Sequence, residues 1–221
     1  MVLTIHHLEN SQSLRVVWLL EEIGTDYEIK LYKRNEESQL APPELKAISP
    51  LGTSPAITDE SGIALCETNA IIEYILDKSG NTDFRPASGS PERVDYLFFF
   101  HAAQGSLGAT VTGDVVWKTV VGQVPCPLSS IMKIIYGKVR ETLYEPRITK
   151  FMEVTEAKLE GRDFVAASSL TAADITLIFP MEQVFEMDPA MEQKFPKCKA
   201  WVDRMHAREA HKRAVAKVGE M

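Results

Sequence analysis

Asn10, Ser11 and Ser13 stand at the front of an apolar helical run, "SLRVVWLLEEIG" at 13–24. A hydroxyl or amide there can donate to an anion, and the N–H groups of the helix start attract negative charge as well. A serine in this place also serves simply as a helix cap. A second group lies at 53–68. Thr53-Ser54-Pro55 leads into a short strand, "AIT", and Cys66-Glu67-Thr68 ends the next, where an apolar run stops at an acid and a hydroxyl. Thr68 suits an N-cap, and the helix start it introduces would hold a carboxylate. Pro55 on its own reads as an edge-strand proline.

These groups are carried by short strands and helices that alternate up to about residue 80. "VLTIHH" (2–7) reads as a strand, and the helix at 13–24 stops at Gly24. Few of that helix's positions are polar, so it is expected to be covered on most sides. "YEIKLY" (27–32) alternates with period two, as a half-exposed strand does, and "PPELKAIS" (42–49) is a short helix opened by proline. "PAIT" (55–58) and "IALC" (63–66) flank a turn, Asp59-Glu60-Ser61-Gly62. "ETNAIIEYILDKSG" (67–80) is a helix with Ile71, Tyr74, Ile75 and Ala70 on one face. The order β-α-β-α-β-β-α predicts a parallel pairing closed by an antiparallel hairpin.

Residues 81–90 are rich in Gly, Pro and Ser and read as a linker. From 91 to 221 no strand is evident. A long helix starts at Pro91 and bends near "GQVPCPLS" (122–129), and a second follows over 129–158. A third covers 169–187, opened by Thr171 with Asp174 as a capping box and bent at Pro180. A last amphipathic helix is expected over 196–217. The fold class is α/β followed by all-α.

A length of 221 residues fits one large or two small domains. The net charge of −7 argues against nucleic acid or an anionic membrane as partner. No apolar run reaches the roughly 20 residues that span a bilayer, and the N-terminus has no basic, apolar leader. Cys66, Cys126 and Cys198 are odd in number and form no CxxC, which suits free thiols in a reducing, cytoplasmic setting. The five histidines lack HExxH or paired-ligand spacing, so no metal site is expected.

Ser11 with Arg15 and "WLLEE" (18–22), "SPLGTSPAI" (49–57), "ETNAI" (67–71) and "LTAADI" (170–175) stand in an order that resembles the cytosolic glutathione transferases along the whole chain. The branch it looks most like is fungal and bacterial, of the serine type. The resemblance implies a thioredoxin-like glutathione-binding domain over 1–80 and an all-helical domain with an electrophile site over 91–221. It also implies a homodimer, with glutathione as co-substrate and no metal. The activity implied is conjugation of the glutathione thiolate to small hydrophobic electrophiles, with reduction of organic hydroperoxides beside it. A glutathione-dependent lyase, dehalogenase or isomerase, or a non-catalytic glutathione-binding regulatory protein, would use the same fold.

Carried over residue by residue, the resemblance makes Pro55 cis, leaving the Ser54 N–H and carbonyl free for the cysteinyl backbone of glutathione. Glu67 takes the γ-glutamyl ammonium and Thr68 its carboxylate. The thiol belongs to the substrate, so the protein has only to ionise it. Lowering a thiol pKa from about 8.5 by ~2 units takes roughly 2.7 kcal/mol. One hydroxyl bond to an anion supplies about 1.5–3 kcal/mol and a helix start ~0.3–1 kcal/mol more. Ser11, four residues before Arg15, is the matching activator, with Ser13 as cap. Another branch would use Asn10. "TIHH" has no tyrosine and no cysteine lies near residue 11, which sets aside the tyrosine and cysteine mechanisms.

Two positions depart from the pattern. Thr53 stands where many members have a cation for the glycyl carboxylate, so Lys46, Lys33 or Arg34 must supply it. Gln104 stands where close relatives have an acid. On the same helix His101, Gly105, Gly108 and Thr112 fall at i, i+4, i+7 and i+11, a small face that would leave room for an electrophile or for close helix packing. Phe98, Phe99 and Phe100 read as core or dimer contact.

Overall fold

The computed structural model of the chain describes residues 2–49 and 51–219; Pro50 of the "SPLGTSPAI" stretch lies outside them. β1 (Leu3–Leu8), β2 (Tyr27–Tyr32), β3 (Ala56–Thr58) and β4 (Ala64–Cys66) form one sheet in the order β2-β1-β3-β4. β1 pairs parallel with β2, Ile5 opposite Ile29, and antiparallel with β3, Ile5 opposite Ile57. β3 and β4 make the expected hairpin. The crossover that a parallel pair requires is α1 (Ser13–Ile23). β1 is central and buried from Ile5 onward, whereas β2, at the edge, keeps alternate side chains exposed.

α2 (Pro43–Lys46) is a single turn, shorter than the run at 42–49 suggests. α3 (Thr68–Ser79) buries Ile71, Ile72, Ile75 and Leu76, while Ala70 is exposed and Tyr74 half-buried. The buried face is therefore rotated by one residue from the expected one. Tyr74 is turned outward to the hairpin, where its hydroxyl donates to Asp59 Oδ2 at 3.1 Å.

The remainder is helical: α4 (Glu92–Ala102), α5 (Ala109–Gln123), α6 (Leu128–Val139), α7 (Glu145–Lys158), α8 (Ala172–Met187), α9 (Ala190–Lys194), α10 (Pro196–His206) and α11 (Glu209–Val218). Wide π turns at Ala103–Gly108 and Arg140–Tyr144 join α4 to α5 and α6 to α7. Thr171 and Asp174 form the capping box of α8, and Asp174 also accepts the Val165 N–H and the Trp201 Nε1–H.

The single helix expected over 196–217 is two. Arg208 is extended between α10 and α11, and its guanidinium bonds both carboxylate oxygens of Glu22 on α1, at 2.5 and 2.9 Å. The break lets α11 turn and lie along α1, which explains why Leu14 through Leu20 are all buried. One continuous apolar core runs from Leu3 and Trp18 through Ile71 to Trp201 and Ala214, so the two halves share it. No helix among the described residues is long and apolar enough to cross a membrane.

Candidate active site

The loop from β1 to α1 presents the first group. Asn10 takes φ 50°, a left-handed conformation that Asn tolerates better than most residues, and the turn brings Ser11 over Ser54. Ser11 Oγ lies 3.1 Å from Ser54 Oγ and 2.8 Å from Ser13 Oγ, and Ser13 Oγ lies 2.7 Å from His7 Nδ1. Asn10 and Ser11 line a cleft, but Ser13 is fully buried. Ser13 is thus closed off from any ligand, against its place among the candidate activators. Nor does it cap α1: Gln12 occupies the cap position, and the Ser13 hydroxyl is turned back to His7.

The Ser54–Pro55 peptide is cis. The Ser54 N–H and carbonyl join no backbone hydrogen bond among the described residues. The Ser54 hydroxyl accepts the Leu8 N–H and donates to the His6 carbonyl, both at 3.3 Å. These bonds fix the side chain under Ser11 and leave the backbone groups of Ser54 for a ligand.

Glu67 precedes α3 at φ 77°, ψ 115°, a backbone strained for any residue but glycine. Its side chain is exposed on the cleft wall and makes no bond within the protein among the described residues. Thr68 does not spend its hydroxyl on its own helix: it donates to Gln12 Oε1 at 3.3 Å. The same oxygen accepts Gln104 Nε2 at 3.0 Å and a short bond from Arg15 Nη2. Gln12 therefore ties both helix starts to α4's end. It is the residue that sequence reasoning missed, and no local signal marks it, since its donors lie 3, 56 and 92 positions away.

Gln104 reaches Gln12 from the π turn. A π turn holds more residues than an α turn, so it rotates everything after it. The face expected from His101, Gly105, Gly108 and Thr112 is split by that rotation. Gly108 and Thr112 line the cleft, Gly105 borders a separate cavity with Tyr144 and Phe151, and His101 is exposed. Gly108 has a steric reason: a Cβ there would lie 2.6 Å from the Ala103 carbonyl oxygen.

Thr53 lines the cleft, its N–H held by Ser49 Oγ at 3.0 Å. The cation on this wall is Arg34, whose Nε and Nη2 donate to the carbonyls of Glu9 and Asn10 at 3.1 and 3.0 Å. Lys46 and Lys33 are exposed and lie outside the lining. Arg15 is fully buried behind Gln12. Burial pushes its pKa down to about 9 and Glu182 pulls it back, so it remains a cation at neutral pH.

Together these residues bound a cleft of about 630 Å³. One wall is polar, from Asn10, Ser11, Arg34, Ser54, Glu67 and Thr68; the other, from α5 and α8, carries Val111, Val115, Val116, Phe179 and Pro180. The polar wall offers an anion, a cation, a helix start and free backbone groups, which suits a flexible peptide-like zwitterion. An apolar molecule fits the second wall, beside Ser11.

Residues 1–77 match the family described as glutathione S-transferase, N-terminal domain, and residues 139–209 match glutathione S-transferase, C-terminal domain. The chain is 28% identical over 218 residues to glutathione S-transferase 3 of Schizosaccharomyces pombe, covering 98% of this chain and 88% of that one. A crystal structure of a glutathione S-transferase from Actinobacillus pleuropneumoniae matches with a TM-score of 0.79 at 29% identity, over 98% of this chain and 93% of that one. A glutathione transferase from Phanerochaete chrysosporium, solved with oxidized glutathione, shares the fold with a TM-score of 0.75 at 23% identity, over 97% and 94%.

Proposed function

Because the chain belongs to the glutathione transferase superfamily, we propose that its polar wall binds and ionises glutathione, and that the thiolate is added to small hydrophobic electrophiles held against α5 and α8. The observation that carries this reading is the Ser11 hydroxyl on the cleft wall, just ahead of α1 and 3.1 Å from Ser54 Oγ. Ser11 faces the cleft and stands just ahead of α1, beside the unpaired backbone groups of Ser54.

Glutathione then lies with its cysteinyl backbone along Ser54. Its γ-glutamyl ammonium meets Glu67, and the neighbouring carboxylate meets Thr68 and the N–H groups at the start of α3. Arg34 takes the glycyl carboxylate in place of the cation absent at Thr53. Gln104 braces Gln12 and through it the loop that carries Ser11. The Ser11 hydroxyl donates to the sulfur anion, and the protein's part in the chemistry is this stabilisation together with positioning of the two reactants.

The proposed assembly is an isologous homodimer through α4, supported by the exposure of Leu97 at 41% and Phe98 at 47% beside the buried Phe99 and Phe100. Sedimentation at micromolar concentration should give twice the chain mass; a monomer excludes the dimer.

The deciding experiment on the site is Ser11→Ala. The bound thiol pKa, read from the ultraviolet absorbance of the thiolate, should rise by ~1–2 units for a lost bond of about 1.5–3 kcal/mol. The kcat/KM near neutral pH should fall roughly ten- to hundredfold while glutathione affinity changes little. An unchanged titration with full activity moves the role to Asn10. A glutathione-binding protein without turnover would bind glutathione yet process no member of an electrophile panel.

A further inference from the structure

His6 and His7 are neighbours in β1, and the pleat sends them to opposite faces. His6 is engaged by Tyr32 Oη and Thr58 Oγ1, each at 2.9 Å. His7 faces α1 and the end of α11. Its Nδ1 lies 2.7 Å from Ser13 Oγ, and the Val218 backbone at the end of α11 favours the protonated ring. In the tautomer with the ring proton on Nε2, Nδ1 is the bare acceptor. Ser13 then donates to Nδ1, and its oxygen can accept the Ser11 hydroxyl at 2.8 Å. Two hydroxyls thus connect the cleft wall to an imidazole that is 4% exposed, through a serine that is 0% exposed.

We propose that His7 stores the proton that glutathione's thiol loses, receiving it through Ser11 and Ser13. The inference rests on the glutathione reading above. As the S–H bond breaks, Ser11 Oγ takes that proton and passes its own to Ser13 Oγ, and Ser13 passes its own to His7 Nδ1. The S–H electron pair stays on sulfur, one proton leaves the thiol and one arrives on the ring, so no further reactant is needed. The transfer also reverses both hydroxyls. Nδ1–H now donates to Ser13, Ser13 to Ser11, and the Ser11 O–H points out at the thiolate it helped to make. The movement that creates the anion supplies its hydrogen-bond donor.

The surroundings are compatible with both states. Burial disfavours the charged ring and keeps it neutral before glutathione arrives, while the Val218 backbone and Glu9 favour the imidazolium. The new thiolate adds a negative charge in its favour. Of the cations on the packed elements, Arg15 on α1 is tied to Gln12 and Thr176, Lys30 on β2 acts on His6, and Lys217 on α11 is tied to Glu21 and Tyr27. Once the sulfur is alkylated the anion is gone, and the proton leaves by the same hydroxyls. His7 touches no substrate and is a positioning residue for this reaction.

The test is a proton count. Glutathione is added to the intact protein at pH 7 in weak buffer, with thiolate read by its ultraviolet absorbance and released protons by an indicator dye. The wild type should release far less than one proton per thiolate formed, and its thiolate signal should stay flat across neutral pH, because the proton moves within the complex. His7→Gln keeps a hydrogen-bonding side chain that cannot be protonated, and Ser13→Ala cuts the chain while keeping His7. Both should release about one proton per thiolate and regain the roughly tenfold change per pH unit of a single titration. In the wild type the His7 ring nitrogens should shift to imidazolium values by NMR when glutathione binds, a readout independent of how either variant folds. One proton released per thiolate in the wild type, with glutathione bound and His7 neutral, overturns the proposal alone. A wild type that binds no glutathione overturns both it and the reading beneath it.

Discussion

Arg15 Nη1 donates to the Thr176 carbonyl over 2.7 Å, and Pro180 is the reason that carbonyl is available. Proline has no N–H, so four residues back along α8 one carbonyl loses its helical donor. A guanidinium from α1 in the other half of the chain supplies the missing bond. Its other arm holds Gln12, and its Nε has no hydrogen-bond partner among the described residues. The proline turn of α8 and the cleft wall made by Phe179 and Pro180 are therefore coupled to the loop that carries Ser11.

That coupling is measurable. Arg15→Met should lower stability by about 1–3 kcal/mol by leaving a buried carbonyl unpaired. In a Pro180→Ala background residue 180 regains an N–H, and the same substitution should cost clearly less. Denaturant unfolding of the four proteins gives the interaction energy. Costs that add to within ~0.5 kcal/mol would show that Thr176 has another donor.

Glu67 separates binding from stability. Glu67→Gly removes the side chain that meets the ammonium, and it also relieves a backbone at φ 77° that glycine adopts freely. Glutathione affinity should fall at least tenfold, matching a charge-assisted bond of about 1.5–3 kcal/mol. The unfolding midpoint should hold or rise. Calorimetric binding at wild-type strength would remove Glu67 from the site.

Gly108→Ala tests the π turn. The new methyl would meet the Ala103 carbonyl oxygen at 2.6 Å, so the backbone of the turn must shift. Stability should drop by roughly 1–3 kcal/mol, as for other overpacked sites. The KM for glutathione should rise as Gln104 is drawn from Gln12, and a crystal structure of the variant should show the Gln104–Gln12 bond lengthened. A variant with wild-type stability and KM would mean that the turn tolerates a side chain.

Glu21 sets an acid limit on the docking of α11. Burial pushes its carboxyl up, but bonds from Lys217, Tyr27 and Arg213 outweigh that and hold its pKa at about 2, against an ordinary 4.5. A depressed folded pKa adds stability that is present above about pH 4.5 and is lost as pH falls through about 2. Lys217 and Arg213 are near half exposed, so solvent screens part of the effect. Thermal unfolding of the wild type should weaken across that window, and Glu21→Gln should be weaker at neutral pH and flatter on acidification. Parallel curves for the two proteins would mean that the cluster does not hold the helix.

The strand and helix order could be read from the chain alone, because alternation, helical spacing and the Gly and Pro stops act within a few residues of one another. "YEIKLY", Gly24 and the Thr171–Asp174 box are legible for that reason. So are the short groups at 10–13 and 67–68, whose residue types suit anions and a helix start, whereas the free backbone at Ser54 comes only with the resemblance to the glutathione transferases. Other features depend on packing. Gln12 gains its role from Thr68 and Gln104, Arg34 rather than Lys46 reaches the cleft, Arg208 ends a helix by reaching Glu22, and the π turn moves Gly105 off the cleft. His7 joins the Ser11 hydroxyl only because β1, α1 and the last turn of α11 meet around it. Local preferences set dihedral angles and faces; which side chains come within 3 Å of each other is set by how elements far apart in the chain fill a shared core.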